Sequence, residues 1–594
     1  MSATYSSTPE NTAETSKLFK NPLLHYIRYQ PRAFGIGIFL LVITNSLDGL
    51  YPLLLKVGID QIEKHMPLGE LGRTSLFLVA AITCLGVTRY GWRRNFGRFH
   101  TYAMEDMRLR IFKHFTNLGP SFFQKNQVGE LMSVATNDVS SFRQAIGPGL
   151  LIFLDGLIYL AIILPVMFTM NFSWTWKTLI LLPLVPFLIN KVMKLIHVNY
   201  KIAQDRFSEL TGVTQETIGG IRVVKSFAQE EHRTQMFCDS SRKLEKANNK
   251  VALIDSLFMP VMEFGVTSGS VILFFIAAND LYLGTVTIGT FVAFHRYIQK
   301  MVWPVTALGL GFSYYEKGRA SVDRIKEVMT QATDIPDSGE IELKTFESLE
   351  FRGVSFKYPG NEVYALKNIS FKIGKGEHFG LMGQVGSGKS TLVNLLLRMY
   401  PVLEGEILVN NLPVNRYTLK SLRATLVLVT QEVFLFSETV SRNVSYGFHE
   451  DPEFRNVERM TEVVNIRGEI ENLPQKFDSQ LGERGVNLSG GQKQRLSIAR
   501  GLILTSPFLI LDDSLSAVDT RTEKMIEEEL AQAKNNQTRL TVAHRLSSLR
   551  STDKILVLKD GAIEALGTAS QLMQTSPSFR TIVSVQSGSE VNHE

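Results

Sequence analysis

The sequence predicts a two-part fold: an α-helical transmembrane domain of six long spanning helices, fused to an α/β domain. Two observations carry this prediction. Nearly all long apolar runs of the 594 residues lie before about residue 315, and strand-like alternation with glycine-rich turns fills the rest. A mean hydropathy of +0.04 and a charged fraction of 20%, below the roughly 25% of soluble domains, fit a chain that is half membrane and half globular.

Composition also excludes several classes. With 44% hydrophobic residues, the chain does not fit a disordered or collagen-like protein. Its two cysteines are too few for a disulfide scaffold. Cys84 lies in an apolar run and Cys238 in a distant charged stretch, so we expect both to be free thiols of a protein that faces the cytoplasm. Residues 1–20 lack a signal-peptide apolar core and the arginines of a transit peptide, which predicts a flexible cytoplasmic tail.

Six apolar segments are long enough to span a membrane, which requires about 20 residues. They cover residues 34–57, 71–92, 147–170, 174–193, 256–278 and 287–312. We therefore expect a transmembrane domain over 21–330, a linker over 331–347, an α/β domain over 348–585 and a tail over 586–594.

The distribution of Lys and Arg predicts the orientation. Residues 89–143 carry nine of them and residues 191–250 carry eleven, whereas the short connections 171–173 and 279–286 carry none. Because basic residues accumulate in cytoplasmic loops, the long segments and both termini are expected in the cytoplasm. The net charge of +6 is then explained by topology, without a nucleic-acid partner.

The two long segments between spans read as helical hairpins that project into the cytoplasm, with breaks near 119–131 and 206–227. Within the spans lie five ionisable residues. Charges at bilayer depth are costly and tend to face a cavity or to pair, so these side chains either line a substrate path or form structural pairs and headgroup contacts. The residues are Asp48, Asp155, Glu263, His295 and Arg296.

A P-loop follows the strand pattern HFGLMG. The eight residues GQVGSGKS match GxxxxGK[ST], and a helical pattern that begins with Thr391 follows them. Glycines let backbone N–H groups wrap the phosphates of ATP, Lys389 reaches the β- and γ-phosphates, and the Ser390 hydroxyl can bind Mg²⁺. The expected nucleotide-contacting residues are Gly383, Gln384, Gly386, Ser387, Gly388, Lys389, Ser390 and Thr391.

A second buried strand, FLIL, ends in Asp512 and Asp513. Asp512 is positioned to hold Mg²⁺ directly or through water. An acidic pair at this point can alternatively cap the following helix.

With these motifs, the sequence LSGGQ at 488–492 resembles the signature of ATP-binding cassette (ABC) transporters, and residues 34–580 resemble a half-transporter of the exporter type. The resemblance implies a P-loop ATPase domain with an antiparallel β-subdomain and a helical subdomain. It also implies further site residues: Tyr358 for stacking on adenine, Gln431 of the Q-loop near Mg²⁺, Gly482–Gly485 as the exporter-specific loop, Ser489, Gly490, Gly491 and Gln492 of the signature, Asp519 of the D-loop, and His544 as the switch histidine.

The resemblance implies a mechanism as well. Two cassettes face head to tail, each ATP lies between one P-loop and the opposite signature, and closure and reopening drive alternating access. The hairpins, including ETIGGIRVVKSF, correspond to coupling helices, with Arg484 expected to contact them near the Q-loop.

One position departs from the family pattern. The residue after the Walker B aspartate is usually the catalytic Glu, and here it is Asp513. The shorter side chain predicts tight ATP binding with poor hydrolysis. Together with the intact signature, it indicates one half of a heterodimer whose partner supplies the Glu; a slowly hydrolysing homodimer is the alternative.

The predicted function is ATP-driven export of a hydrophobic or amphipathic compound, drug-like or lipid-like, across a bacterial cytoplasmic membrane. An ATP-gated regulator or channel on the same scaffold is the competing hypothesis. Soluble ABC ATPases that act on DNA or ribosomes are excluded by the predicted spans.

Overall fold

The computed structural model describes residues 18–180, 184–448, 450, 452–482, 485, 487–516, 518–532 and 537–590. Internal contacts divide the chain into two units. The first unit runs to Thr116 and resumes over Val128–Gln331; the second comprises Asn117–Gln127 and the chain from Ala332 onward. Residues 117–127, which overlap the hairpin break predicted near 119–131, thus belong to the second unit.

The first unit is helical throughout its described residues. Its α-helices are α1 (Pro22–Tyr29), α2 (Pro31–Glu63), α3 (Leu68–Asn117, of which the last residue belongs to the second unit), α5 (Val128–Ser133), α6 (Val139–Gln144), α7 (Leu150–Met170), α8 (Phe172–Leu179), α9 (Leu184–Gly219), α10 (Ile221–Ser226), α11 (Glu230–Asp255), α12 (Phe258–Tyr282) and α13 (Ile288–Met329). Two π-helical turns, Val134–Asp138 and Ala145–Gly149, join α5, α6 and α7 into one rod.

Three helical stretches are long and apolar enough to cross a membrane: Pro31–Glu63, Leu68–Asn117 and Val128–Met170, judged over the described residues. They contain the first three predicted spans. The other three predicted segments fall on α8 to α9, α12 and α13, and residues 181–183 of the fourth lie outside the described residues.

Polar contacts fix several of these helices against one another. Asp60 near the end of α2 accepts a hydrogen bond from the Gly289 amide at 3.1 Å, which satisfies a donor in the first turn of α13. The buried Tyr297 hydroxyl donates to the Gly49 carbonyl at 2.6 Å. Both thiols are free, as predicted.

The second unit contains α4 (Pro120–Lys125) and an α/β core. Its strands are β1 (Ser348–Phe356), β2 (Leu366–Gly374), β3 (His378–Gly383), β4 (Glu404–Val409), β5 (Leu412–Pro413), β6 (Leu426–Val429), β7 (Phe508–Asp512), β8 (Thr538–Val542), β9 (Lys554–Lys559) and β10 (Ala562–Gly567). Its further helices are α14 (Lys389–Leu396), α15 (Leu419–Thr425), α16 (Val440–Val444), α17 (Phe454–Val463), α18 (Arg467–Glu471), α19 (Gly490–Leu502), α20 (Thr520–Gln532), α21 (Ala569–Thr575) and α22 (Pro577–Glu590).

Two sheets organise this unit. An antiparallel sheet has the order β2-β1-β4-β5, and a six-stranded sheet has the order β10-β9-β3-β8-β7-β6. In the larger sheet β9, β3, β8, β7 and β6 are parallel and β10 is antiparallel at the edge. Strands β3, β7 and β8 are buried along their whole length, as expected for parallel strands covered on both faces.

The sheet order explains why distant motifs meet. Strands β3 and β7 lie on either side of β8, so the P-loop after β3 and the acidic pair at the end of β7 reach the same edge of the sheet. Ligands of open α/β sheets bind at this carboxyl edge.

Candidate nucleotide-binding site and transmembrane cavity

The P-loop connects the end of β3 to the start of α14. Gly388 has φ +99°, a left-handed conformation that a side chain rarely adopts, and a Cβ there would lie 2.6 Å from the Ala365 carbonyl oxygen. A Cβ on Gly383 would lie 2.4 Å from the Leu558 carbonyl oxygen. The backbone therefore holds its tight turn only with glycine at these two positions, and the turn leads into the positive end of the α14 dipole.

The loop presents polar groups that suit a polyphosphate. Lys389 is buried and its Nζ donates to the carbonyl oxygens of Gly383 at 2.9 Å and Gln384 at 2.8 Å. Ser387 Oγ is buried and finds no partner among the described residues. Gln384 and Gly386 are exposed at the rim of the loop. Because these donors surround a turn that glycine keeps open, the residues present fit ATP.

Ser390 and Asp512, two of the residues predicted to bind Mg²⁺, lie together. Asp512 at the end of β7 is buried, and burial raises the pKa of its carboxyl group; a hydrogen bond with Ser390 and the charge of Lys389 oppose that shift. Burial in turn lowers the pKa of Lys389, against the attraction of Asp512 and Asp513. A hydroxyl and a carboxylate oxygen in contact are the hard donors that Mg²⁺ prefers, so this pair fits the metal.

Asp513 stands beside two other predicted residues. Its Oδ2 accepts a hydrogen bond from Gln431 Nε2 at 3.3 Å. His544 is close enough that Lys389 and Asp513 both affect its pKa, which burial lowers most. The structure thus brings Lys389, Asp512, Asp513, Gln431 and His544 into one cluster.

The signature residues lie elsewhere on the unit. Ser489 caps α19: its Oγ accepts from the Gln492 amide at 3.3 Å, and its own amide donates to Gln492 Oε1 at 2.7 Å. Ser489 and Gly490 are exposed, and Gly491 is half-buried. Within the described part of the chain, no hydrogen bond or ion pair joins this segment to the P-loop.

Asp519 has a structural task in this chain. Its two carboxylate oxygens accept from the Thr522 amide at 3.0 Å and from the Thr522 hydroxyl at 2.7 Å, in the first turn of α20. These hydrogen bonds, first among them the one from the Thr522 amide, lower the pKa of the Asp519 carboxyl group. Glu483, Arg484 and Ala517, which belong to the predicted exporter loop and D-loop, lie outside the described residues.

Tyr358, expected to stack on adenine, is half-buried beside the P-loop helix. Its hydroxyl lies 3.0 Å from Thr391 Oγ1, and its ring meets the Tyr400 ring edge-on at 5.2 Å. Tyr400 in turn accepts a hydrogen bond from Gln124 Nε2 of α4 at 2.6 Å. The sequence singled out neither Tyr400 nor Gln124, although both lie within segments it had marked.

Arg500 was also missed. From α19 its guanidinium donates to the carbonyl oxygens of Asn443 at 2.8 Å and Phe434 at 2.9 Å. It therefore ties the signature helix to the chain that follows Gln431. Asn443 Oδ1 also accepts from Arg500 at 2.9 Å. A motif search gives no signal for these contacts because the partners are 57 and 66 positions away in the sequence.

In the first unit, a cavity of about 810 Å³ is lined by α2, α3, α7 and α13 and the π-turn before α7. Asp48 and Asp155, two of the five ionisable residues singled out in the sequence, line it. Glu263, His295 and Arg296 are not among its described lining residues; Glu263 is exposed, and Arg296 donates to Gln299 on its own helix at 3.2 Å.

The fold and the site together define a membrane-embedded protein with a P-loop nucleotide-binding domain. Residues 34–305 match the family described as ABC transporter transmembrane region, and residues 366–516 match that described as ABC transporter. The chain is 33% identical over 565 residues to the multidrug resistance-like ATP-binding protein MdlA of Escherichia coli (strain K12), covering 94% of this chain and 95% of that protein.

Two other likenesses agree. The chain is 31% identical over 581 residues to the ATP-dependent lipid A-core flippase of Haemophilus influenzae (strain 86-028NP), covering 97% and 98% of the two chains. Its fold matches the structure of a bacterial Atm1-family ABC exporter with ATP bound, with a TM-score of 0.75 at 23% identity over 94% of this chain and 98% of the other. The protein therefore belongs to the ABC transporter family, with the exporter fold and an ATP-binding domain.

Proposed function

We propose that this chain is one subunit of an ATP-driven exporter, which moves hydrophobic or amphipathic compounds, drug-like or lipid-like, outward by alternating access. The relatives named for multidrug resistance and for lipid A-core flipping support this substrate range. The observation that carries the proposal is the cluster around Lys389 and Asp512 in a chain that also holds membrane-spanning helices and a cavity of about 810 Å³.

The proposed setting is a bacterial cytoplasmic membrane, with the ATPase domain and both termini in the cytoplasm. We propose six spans over residues 21–330, since α9, α12 and α13 are long helices that cover the later apolar segments. The nucleotide-binding domain is proposed to cover 348–585, after the linker 331–347.

ATP and Mg²⁺ are the proposed cofactors. Lys389 and the P-loop amides would bind the phosphates, and Ser390, Asp512 and Gln431 would hold the metal, which neutralises developing phosphate charge when bound. Gln431 and His544 would position the attacking water with Asp513. Tyr358 would contact the adenine.

The signature is proposed to act in the opposite cassette. Ser489 and Gly490 are exposed and are joined to the P-loop by no hydrogen bond within the described residues, so they are available to a second chain. With Asp513 short of the reach of a Glu, we propose a heterodimer in which the partner's Walker site, completed by Ser489, Gly490 and Gly491, performs most hydrolysis. A homodimer with slow hydrolysis at two equal sites is the alternative.

Transport in inverted membrane vesicles tests the export proposal. Vesicles from cells that express this chain, with its cognate partner where there is one, should accumulate a fluorescent amphipath when given ATP and Mg²⁺. Lys389→Ala should abolish the accumulation, whereas Lys375→Ala, which removes a surface ion pair with Glu347, should not. Ion conductance with ATP and no accumulation would instead favour a gated channel and refute export.

Cysteine cross-linking separates the two assemblies. A cysteine introduced at the exposed Ser489 and another in the P-loop at the exposed Gln384 should not cross-link between copies of this chain if the native assembly is a heterodimer. Efficient cross-linking between two copies in native membranes would establish the homodimer and overturn the asymmetric proposal.

A further inference from the structure

The transmembrane cavity carries an imbalance of charge. Five of its lining residues have a carboxylate, guanidinium or ammonium side chain: Asp48, Arg89, Arg93, Asp155 and Lys300. Three are cations and two are anions, so the lining has a net surplus of one positive charge. Where each charge is neutralised decides what kind of ligand the cavity suits.

One anion–cation pair is satisfied within the wall. Lys300 Nζ on α13 lies 2.7 Å from Asp48 Oδ2 and also donates to the Asp48 carbonyl at 3.1 Å. The Tyr159 hydroxyl donates to the same carboxylate oxygen at 2.7 Å. Asp48 and Lys300 therefore neutralise each other, and we call this pair the closed Asp48–Lys300 group because neither charge is available to an incoming ligand.

Asp155 is held by neutral donors. Its Oδ1 accepts from Asn45 Nδ2 at 3.0 Å, and its Oδ2 accepts from Trp303 Nε1 at 3.2 Å. Each carboxylate oxygen thus has a hydrogen bond, although no cation lies within ion-pair distance among the described residues.

The two arginines are the open groups. Arg89 and Arg93 are four residues apart on α3, so they lie on one face of that helix. Within the described part of the chain neither makes an ion pair or a hydrogen bond; Arg93 only stacks against the neighbouring Trp92 ring, with its guanidinium carbon 5.4 Å from the ring centroid. A guanidinium over an aromatic face keeps its N–H donors free at its edge.

We propose that this arginine pair binds the acidic group of an amphipathic anion, with Trp92 and Trp303 at the wall against its apolar part. A carboxylate or phosphate matches the planar donor fork of arginine, and the closed Asp48–Lys300 group keeps the surplus positive charge at Arg89 and Arg93. The inference narrows the substrate class of the proposed exporter and rests on the cavity being its substrate site.

Two sources can provide such a group: a dissolved amphipathic acid, or the headgroup of an anionic membrane lipid. Both share the chemistry of an acidic oxygen cluster on an apolar chain. The experiment below therefore includes an arm for each source.

Binding is measured without ATP on the full assembly in phosphatidylcholine nanodiscs, by energy transfer from tryptophan to three dansyl probes of equal chain length. The probes end in a carboxylate, in its methyl ester and in a trimethylammonium group. We expect saturable binding that is about tenfold tighter for the carboxylate, the ratio that one charge-assisted hydrogen bond provides. Arg89→Gln and Arg93→Gln should each remove most of that preference, while Arg94→Gln, the adjacent arginine that is not among the lining residues, should retain it.

A charge reversal guards against variants that merely distort the site. The double substitution Arg89→Glu and Arg93→Glu should bind the trimethylammonium probe in preference to the carboxylate. Equal affinity for all three probes in the wild type, or an unchanged preference in the reversed variant, would overturn the inference.

Phosphatidylglycerol added to the nanodiscs distinguishes the sources. Competition with the carboxylate probe in the wild type, but not in Arg93→Gln, would identify a lipid headgroup at the arginine pair, whereas no competition would identify the dissolved acid. Charge-selective binding without ATP-dependent transport would support this inference and refute the exporter proposal. ATP-dependent transport together with equal binding of all three probes would support the exporter proposal and refute this inference.

Discussion

Replacing Asp513 by Glu should raise the ATPase rate of this chain. The Asp513 backbone is fixed: its amide donates to the Val542 carbonyl at 2.9 Å, and its carbonyl accepts from Ser516 Oγ at 2.8 Å. Because the Cβ position is set, one added methylene advances the carboxylate by about 1.3 Å along a C–C bond of ~1.5 Å. A general base must come within about 3 Å of the proton it takes, and a misplacement of ~1 Å can cost about 10²-fold in rate.

The expected gain is therefore about 10²-fold, equivalent to ~2.7 kcal/mol of barrier. The assay is ATP hydrolysis by the chain purified alone in lipid nanodiscs, beside Asp513→Glu and Asp513→Asn. Wild type should be nearly silent. Brisk turnover by wild type that Asp513→Asn abolishes would refute the reasoning, because Asp513 would then already serve as the base and the chain would be a working homodimer.

A matched control separates reach from backbone cost. Asp513 has φ +46°, a conformation that Asp tolerates better than Glu, so the substitution also carries a small stability penalty. Asp560, at φ +50° in the exposed turn between β9 and β10, has the same backbone preference, and among the described residues its side chain makes no hydrogen bond or ion pair with the site residues. Asp560→Glu should lower the melting temperature by a similar amount and leave the ATPase rate unchanged.

Three further outcomes follow from the site. Lys389→Ala should weaken binding of a fluorescent ATP analogue by about tenfold or more, because a charge-assisted phosphate contact is lost. Lys375→Ala is the control, and equal losses in the two variants would contradict the assignment of Lys389 to the phosphates. In the native assembly Ser489→Ala should reduce turnover more than Asp513→Asn does, by about tenfold for one lost hydrogen bond, and a reversed order would oppose the asymmetric proposal. Burial and the charge of Lys389 lower the pKa of His544 below its ordinary 6.5, so the His544 ring stays neutral at pH 6.5 and above. The acid limb of the ATPase profile due to His544 should therefore lie below pH 6.5, and a step near pH 7 that His544→Gln removes would disprove this.

Part of the nucleotide site was readable from the chain alone because its residues are contiguous. The P-loop needs glycine at Gly383 and Gly388 for close backbone approach, and the structure has carbonyl oxygens at the distances that would exclude a Cβ there. Ser390 and Asp512 were each predicted from their motifs to bind Mg²⁺, and the two side chains are hydrogen-bonded. Because the local backbone geometry requires these residue types, a short sequence motif is enough to predict them.

Other features are invisible to a motif because their partners are distant in sequence. Gln124 reaches Tyr400 across 276 positions, and Arg500 reaches Asn443 across 57 positions and Phe434 across 66. The hydrogen bonds from Thr522 to Asp519 at the start of α20 are likewise not part of the motif that singled out Asp519.

The sequence by itself determined the class of protein, the position of the P-loop and the presence of Asp513 after Asp512, because each depends on residue type within a short segment or on the hydropathy of a continuous run. Only the tertiary structure decided which ionisable residues of the spans share a cavity, and that Asp48 is neutralised by Lys300 while Arg89 and Arg93 stay open. The physical reason is that the energy of a charge depends on the neighbours that packing brings to it, and helices far apart in the chain supply those neighbours.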